Sequence, residues 1–125
     1  MNFKEYQAAA KETAIYPRQH AVIYPALGLA GEAGEVAEKV KKWLRDGNID
    51  AGELHKEIGD VLWYCALAAR ALGLPLEQIA KLNIDKLKAR YPGKFDADKA
   101  INRNVEGERT ILETLSVGTG INHPV

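Results

Sequence analysis

Residues 61–72, VLWYCALAARAL, form the segment that most restricts the fold, because almost every side chain in it is apolar. A helix of this composition is apolar on nearly every side and needs neighbouring helices around it. Its longest apolar run, residues 61–69, is far shorter than the ~18 residues that a membrane span requires. The segment therefore predicts a central helix of a folded domain rather than a transmembrane helix.

The first half of the chain is predicted to form two helices. Asn2 followed by Glu5 resembles a capping box, and the helix that it opens stops before Pro17. Residues 17–26 contain two prolines and predict a connector. Apolar residues at spacings of three and four then predict a second helix over residues 27–44.

Two further main helices follow. Asp50 and Glu53 form a second capping-box pattern, which opens the third helix. Gly73 and Pro75 end it, and a fourth helix is predicted over residues 75–90. No segment alternates in the manner of a strand, so the sequence predicts an all-α protein whose four main helices form an antiparallel bundle.

The end of the chain is predicted to be less regular. Residues 96–115 fit one further short helix, and the last ten residues, SVGTGINHPV, have the composition of a poorly ordered tail. At 125 residues the chain has the length of a single domain. We therefore expect one domain with a C-terminal extension.

Charge and cysteine content limit the classes of function. Lys and Arg together number 17, as do Asp and Glu, so the formal net charge is zero and no basic block predicts a nucleic-acid partner. Cys65 lies in the apolar run and is interpreted as a small buried hydrophobe rather than a nucleophile. The N-terminus lacks a signal segment, so we expect a cytoplasmic protein with no membrane partner.

Four carboxylates differ from the ordinary charged surface of these helices. Glu32 and Glu35 lie about 60° apart at the border of the apolar stripe of the second helix, and Glu57 and Asp60 repeat that spacing on the third. Because a short loop joins the two helices, they should pack antiparallel and bring the pairs within about one helical turn. Acids this close repel one another by several kcal/mol, at an effective dielectric of ~20, unless a cation lies among them.

All-oxygen ligands favour Mg²⁺ or Mn²⁺ over Zn²⁺, which prefers His or Cys. A di-iron site is disfavoured because helical di-iron sites use Glu-x-x-His pairs, and neither Glu32 nor Glu57 has a His three residues later. The competing interpretation treats the four acids as ordinary solvated charges. That interpretation predicts no effect of Mg²⁺ on thermal stability.

The order of motifs resembles the MazG-like, all-alpha nucleoside triphosphate pyrophosphohydrolases, relatives of the dimeric dUTPases. The resemblance rests on Glu32-Ala-Gly-Glu35 followed by Glu57-Ile-Gly-Asp60, within a set of segments in the same order and spacing. These segments are FKEYQAAAKETAIYP, GLAGEAGEVAEKVKK, EIGDVLWYCALAARALGLPLEQIA, NIDKLKARYPGKF and INRN. We therefore assign residues 1–109 to a MazG-like domain and residues 110–125 to a C-terminal extension.

The resemblance implies Mg²⁺-dependent cleavage of a nucleoside or deoxynucleoside triphosphate between the α and β phosphates, giving a monophosphate and pyrophosphate. The residues that it implies as metal ligands and catalytic residues are Glu32, Glu35, Glu57 and Asp60. The residues that it implies for substrate contacts are Asn83, Lys86 and Arg90, which share one face of the fourth helix. Lys39 is either a further phosphate contact or a salt-bridge partner of a nearby acid.

Trp43 and Trp63 are candidates to stack on the base of a nucleotide. Packing in the core or at a subunit interface is the stronger interpretation for both. The resemblance also implies a homodimer or homotetramer that removes unwanted nucleotides from the pool. The alternative is a non-catalytic nucleotide- or metal-binding regulator on the same fold. The intact set of four acids favours the enzyme, because a regulator has no need to hold four acids around metals.

Overall fold

The computed structural model describes residues 1–48, 50–93, 98 and 104–116 of the chain. Within these ranges it contains five α-helices, one short 3₁₀ turn and no strand. The elements are α1 (Phe3–Thr13), the 3₁₀ turn (Arg18–His20), α2 (Ile23–Asp46), α3 (Ala51–Ala71), α4 (Leu76–Arg90) and α5 (Val105–Ser116). The prediction of an all-α protein is confirmed, and the predicted tail beyond residue 116 lies outside the described residues.

Side-chain caps and a glycine set the helix ends that the sequence predicts. The Asn2 side chain accepts a hydrogen bond from the Glu5 N–H at 2.9 Å, and the Asp50 side chain accepts one from the Glu53 N–H at 3.2 Å. Both bonds satisfy N–H groups that the first turn of a helix leaves unpaired. Gly47 ends α2 with a φ of 79°, a left-handed conformation that favours glycine.

α2 begins earlier than predicted, at Ile23 rather than at residue 27. Pro25, which indicated a connector, lies in the first turn of the helix, where its missing N–H costs no hydrogen bond. Its side chain is fully buried. The proline therefore starts the helix and packs against its neighbours, and the connector between α1 and α2 is shorter than expected.

The core is centred on the C-terminal half of α3. Ala66, Leu67 and Ala69 are almost completely buried, and Ala10 of α1 and Leu76 of α4 pack into the same cluster. This half of α3 is the central helix that the sequence predicts. Among the described helices α2 makes its extensive contact with α3, whereas α1 and α4 contact both α3 and each other.

Two predictions about the architecture are not tested by this packing. The closed antiparallel bundle of four helices stays a prediction, because α2 flanks α3 without extensive contact to α1 or α4. The boundary predicted at residue 109 falls inside α5 and also stays a prediction. Within the described ranges, no helix has the length and hydropathy needed to cross a membrane.

Gln7 joins α1 to the turn between α3 and α4. Its Nε2 donates to the carbonyl oxygens of Ala66, at 3.2 Å, and Leu74, at 3.0 Å. Its Oε1 accepts from the N–H of Leu76 at 3.2 Å, which pairs the first free N–H of α4. The Gln7 amide therefore links three helices through partly buried hydrogen bonds.

We predict that Gln7→Ala lowers the free energy of unfolding by about 2–3 kcal/mol, because it leaves partly buried backbone groups without partners. Urea denaturation monitored by circular dichroism measures the change. Gln78→Ala, which removes an exposed glutamine from α4, is the control and should change stability by less than ~0.5 kcal/mol. Equal stability of the two variants would contradict the role assigned to Gln7.

Candidate metal centre

Three of the four predicted acids converge between α2 and α3. Glu32, Glu57 and Asp60 each offer one carboxylate oxygen, and these oxygens all lie within 4.8 Å of one another. Glu32 and Glu57 are half-buried, whereas Asp60 is exposed. We call these residues the acidic trio. Their proximity shows that the hairpin of α2 and α3 brings acids of both helices together.

A close contact between the helices sets their spacing beside the acidic trio. Gly28 of α2 lies against the ring of Tyr64, and a Cβ atom at position 28 would overlap the Cε1 and Cζ atoms of that ring. Glycine is therefore required for the ring to approach the α2 backbone this closely. Gly28 precedes Glu32 by about one turn, and Tyr64 follows Asp60 by about one turn. The contact is thus adjacent to the trio on both helices.

Burial is the main cause that raises the pKa of Glu32. A hydrogen bond with Glu57 raises this pKa further, as do the negative charges of Asp60, Glu57 and Glu35. Each of these effects disfavours the charged form of Glu32, and a cation bound among the three acids would relieve them.

The donor set of the trio fits a hard divalent cation. It consists of carboxylates with no His or Cys, which suits Mg²⁺ or Mn²⁺ and does not suit Zn²⁺. The nearby lysines pair with a different acid, since Lys39 and Lys56 lie 3.8 and 3.0 Å from carboxylate oxygens of Glu53. Both lysines therefore form their ion pairs with Glu53, and Lys56 also lies near enough to Glu57 for the two charges to interact.

Glu35, the fourth predicted ligand, does not belong to the trio. It is exposed on α2, three residues after Glu32, and contributes to the negative field on Glu32. Helical spacing places the Glu35 side chain near the trio but about 60° around the α2 axis from Glu32, on the solvent side. Its role as a metal ligand stays a prediction.

The predicted substrate contacts on α4 occupy different environments. Asn83 is exposed and Lys86 is half-buried. Arg90 donates from Nε to Glu108 Oε1 at 2.6 Å and from its NH2 group to Glu108 Oε2 at 3.0 Å, and Glu108 is 2% exposed. This two-bond ion pair holds the end of α4 to α5 and raises the pKa of Arg90. A phosphate contact from Arg90 stays a prediction, and the structure shows a buried partner that the sequence analysis missed.

A row of three tyrosines next to the trio was also missed. The rings of Tyr16 and Tyr24 stack with their centroids 4.6 Å apart, and the centroids of Tyr24 and Tyr64 lie 6.4 Å apart. We call this set the tyrosine row. Spacings of four residues, from Tyr24 to Gly28 to Glu32 and from Asp60 to Tyr64, are the sequence signal that places it beside the acids.

The two tryptophans occupy different positions. Trp63 Nε1 donates to Thr13 Oγ1 at 2.8 Å, and the Trp63 ring packs edge-on against Tyr64 beside the core cluster. These contacts agree with the interpretation of Trp63 as a packing residue. Trp43 lies near the end of α2 with 43% of its surface exposed, and its proposed contact with a base is untested.

Comparison with known proteins gives two matches. The sequence model of the MazG nucleotide pyrophosphohydrolase domain matches residues 24–106, a range that contains the whole acidic trio. The chain is also similar to "Gene 37 protein" of Mycobacterium phage L5, with 43% identity over 101 residues that cover 72% of this chain and 89% of the phage protein. That name states no activity. No solved structure matches the chain.

We predict that Mg²⁺ stabilises the protein through the acidic trio. At one hundred times the dissociation constant, binding to the folded state alone adds ~2.7 kcal/mol to the free energy of unfolding. Glu57→Gln should unfold at a higher temperature than the wild type without metal, because it removes a repulsive charge, and should lose the response to Mg²⁺. Thermal unfolding with and without Mg²⁺ measures both effects.

The matched control is Glu77→Gln, which neutralises an exposed acid on α4 and should respond to Mg²⁺ like the wild type. A wild type that shows no shift with Mg²⁺ or Mn²⁺ would support the interpretation of the acids as ordinary solvated charges. An undiminished shift in Glu57→Gln would contradict the assignment of Glu57 as a ligand.

Proposed function

The chain belongs to the MazG nucleotide pyrophosphohydrolase family, and from that premise we propose that it is a Mg²⁺-dependent nucleoside triphosphate pyrophosphohydrolase. The proposed reaction cleaves a ribo- or deoxyribonucleoside triphosphate between the α and β phosphates and releases a monophosphate and pyrophosphate. The observation that carries the proposal is the acidic trio, whose carboxylate oxygens lie within 4.8 Å of one another.

In the proposed mechanism Glu32, Glu57 and Asp60 hold Mg²⁺, with Mn²⁺ as a substitute and Glu35 as a further ligand. A divalent cation held by these residues would supply charge neutralisation for the phosphate oxygens and a water of lowered pKa. The carboxylates also select the form of the substrate, because their charge repels a free triphosphate and admits one that is neutralised by a cation. No separate general base is assigned.

Phosphate contacts are proposed for Asn83, Lys86 and Arg90 of α4 and for Lys39 of α2. Lys86 forms no ion pair with any described residue, so its charge is available to a phosphate. Arg90 and Lys39 already face Glu108 and Glu53. To bind a phosphate, each of these two side chains must either contact it in addition to its carboxylate partner or release that partner.

A second copy of the chain is proposed to cover an apolar face of α2. Ile23 and Leu27 are 60% and 70% exposed, and helical spacing places them on the side of α2 opposite Pro25 and the half-buried Glu32 and Val36. Leu44, which is 80% exposed, lies about 25 Å farther along the same helix. Large apolar side chains grouped in this way on one helix are typical of protein interfaces. We therefore propose a homodimer or homotetramer in which this face is buried.

The proposed biological role is the removal of surplus or non-standard nucleotides from the cytoplasmic pool. The alternative is a nucleotide- or metal-binding regulator without activity. The convergence of three acids favours the enzyme, since a regulator that only recognises a nucleotide needs cationic and aromatic contacts but no concentrated negative charge.

We predict that a panel of standard and modified nucleoside triphosphates, incubated with Mg²⁺, yields pyrophosphate and the matching monophosphate for at least one member. Chromatography of the nucleotides and separate assays for pyrophosphate and orthophosphate identify the products. Glu57→Gln should retain its fold and lose about 100-fold or more of the activity, while Glu77→Gln should keep it. Orthophosphate as the only phosphate product would contradict cleavage between the α and β phosphates, and no product from any nucleotide would favour the regulator.

We also predict that Leu27→Asp weakens self-association, because it places a charge in the buried face between copies. Light scattering coupled to size-exclusion chromatography measures the mass of the wild type and the variant at several concentrations. Leu112→Asp, at an exposed leucine of α5, is the control and should leave the mass unchanged. A monomeric wild type at all concentrations would contradict the proposal.

A further inference from the structure

A cavity lies between the 3₁₀ turn and the C-terminal half of α3. Its volume is about 380 Å³, and its lining residues are Ala14, Tyr16, Arg18, Ala21 and Arg70. These residues include two guanidinium groups and one phenol, and no acid. The cavity therefore has the opposite charge to the acidic trio.

The two arginines of this cavity differ from the other arginines of the described chain, each of which has a carboxylate partner. Those pairs are Arg45 with Asp46 at 2.7 Å, Arg90 with Glu108 at 2.6 Å and Arg109 with Glu113 at 3.4 Å. Among the residues that the structure describes, no carboxylate oxygen lies within 4.0 Å of a nitrogen of Arg18 or Arg70. Both arginines are exposed to solvent, and because guanidinium groups stay charged at any physiological pH, each can pair with an anion that enters the cavity.

Tyr16 adds a neutral hydrogen-bond donor to the same wall. Burial raises the pKa of Tyr16, and the positive charge of Arg70 opposes this rise, so the guanidinium acts directly on the phenol. The phenol remains protonated at neutral pH and can donate to an oxyanion. Two guanidinium groups and one hydroxyl form a donor set for the oxygens of a phosphate group, which arginine binds with two parallel hydrogen bonds.

The cavity is separate from the acidic trio. Asp60 and Arg70 are ten residues apart on α3, which corresponds to about 15 Å along the helix axis. This distance exceeds the length of a triphosphate chain, so phosphates held at the trio do not reach the cavity. The tyrosine row, which begins at Tyr64 beside the trio and ends at Tyr16 in the cavity wall, lies between the two sites.

We propose that the cavity of Arg18 and Arg70 binds the phosphate group of a small molecule about the size of a nucleoside monophosphate. The volume lies at the lower end of the range for ligand pockets, about 300–1,000 Å³, and exceeds what a bare phosphate ion fills. Arg18 and Arg70 bind the phosphate oxygens, and Tyr16 donates from its hydroxyl. The remainder of the ligand packs against Ala14, Ala21 and the ring of Tyr16.

The test is isothermal titration calorimetry of the full chain in EDTA at low ionic strength. Without a divalent cation the acidic trio repels anions, so binding of an anion through a metal at the trio is excluded, and the variants below assign the remaining binding to the arginine cavity. The probes are adenosine 5′-monophosphate, inorganic phosphate, pyrophosphate and uncharged adenosine. The proposal predicts saturable binding of the monophosphate, weaker binding of the two inorganic anions and no binding of adenosine.

Variants assign the binding to the cavity. Arg18→Ala and Arg70→Ala should each weaken binding of the monophosphate at least tenfold, and Arg70→Lys, which keeps the charge but loses the forked donor, should give an intermediate affinity. Arg45→Ala is the matched control, an exposed arginine of α2 outside the cavity, and should bind like the wild type. Thermal unfolding of each variant verifies that the fold is retained.

The absence of saturable binding by all three phosphate probes would overturn the proposal. Unchanged affinity in both Arg18→Ala and Arg70→Ala would overturn it as well. Inorganic anions that bind while the monophosphate does not would contradict the proposed ligand size. Because the measurement is made without metal and without turnover, its outcome is independent of whether the protein hydrolyses a triphosphate.

Discussion

The repulsion among Glu32, Glu57 and Asp60 is the interaction that most constrains the packing of α2 on α3. These three acids lie at the contact between α2 and α3, and among the helices that the structure describes α2 makes its most extensive contact with α3. Without a cation their charges oppose this contact, and the close fit of Gly28 against Tyr64 acts against that repulsion. A bound divalent cation would convert the repulsion into an attraction, so it would complete a site and fasten α2 to the domain at the same time.

The molecule therefore has two halves of different character. Around the C-terminal half of α3, buried alanines and leucines and the hydrogen bonds of Gln7 fix the positions of α1 and α4. α2 flanks α3 and exposes the apolar side chains of Ile23, Leu27 and Leu44. The N-terminal half of α3, which continues from this well-packed part, carries Glu57 and Asp60. The exposed side of α2 leaves access, in our proposal, for a second copy of the chain.

The features that the sequence predicts correctly are those set by residues close together in the chain. Caps such as Asn2 and Asp50 act within one turn, and the short loop after Gly47 fixes the hairpin that brings Glu32 to Glu57. The features that were missed depend on contacts between distant segments. Glu108 lies 18 residues from Arg90, and no local pattern predicts that the two will pair. Pro25 was misread because proline suits both a connector and a first helical turn, and packing decides between them.

Calorimetric titration of Mg²⁺ into the protein, in two buffers of different ionisation enthalpy at mildly acidic pH, tests the central claim most directly. Burial and the neighbouring carboxylates raise the pKa of Glu32, so at mildly acidic pH a cation that binds the trio should displace protons. The account predicts saturable binding with proton release, and the loss of both in Glu57→Gln. Binding without proton release, or the same binding in Glu57→Gln, would place the cation elsewhere and contradict the account.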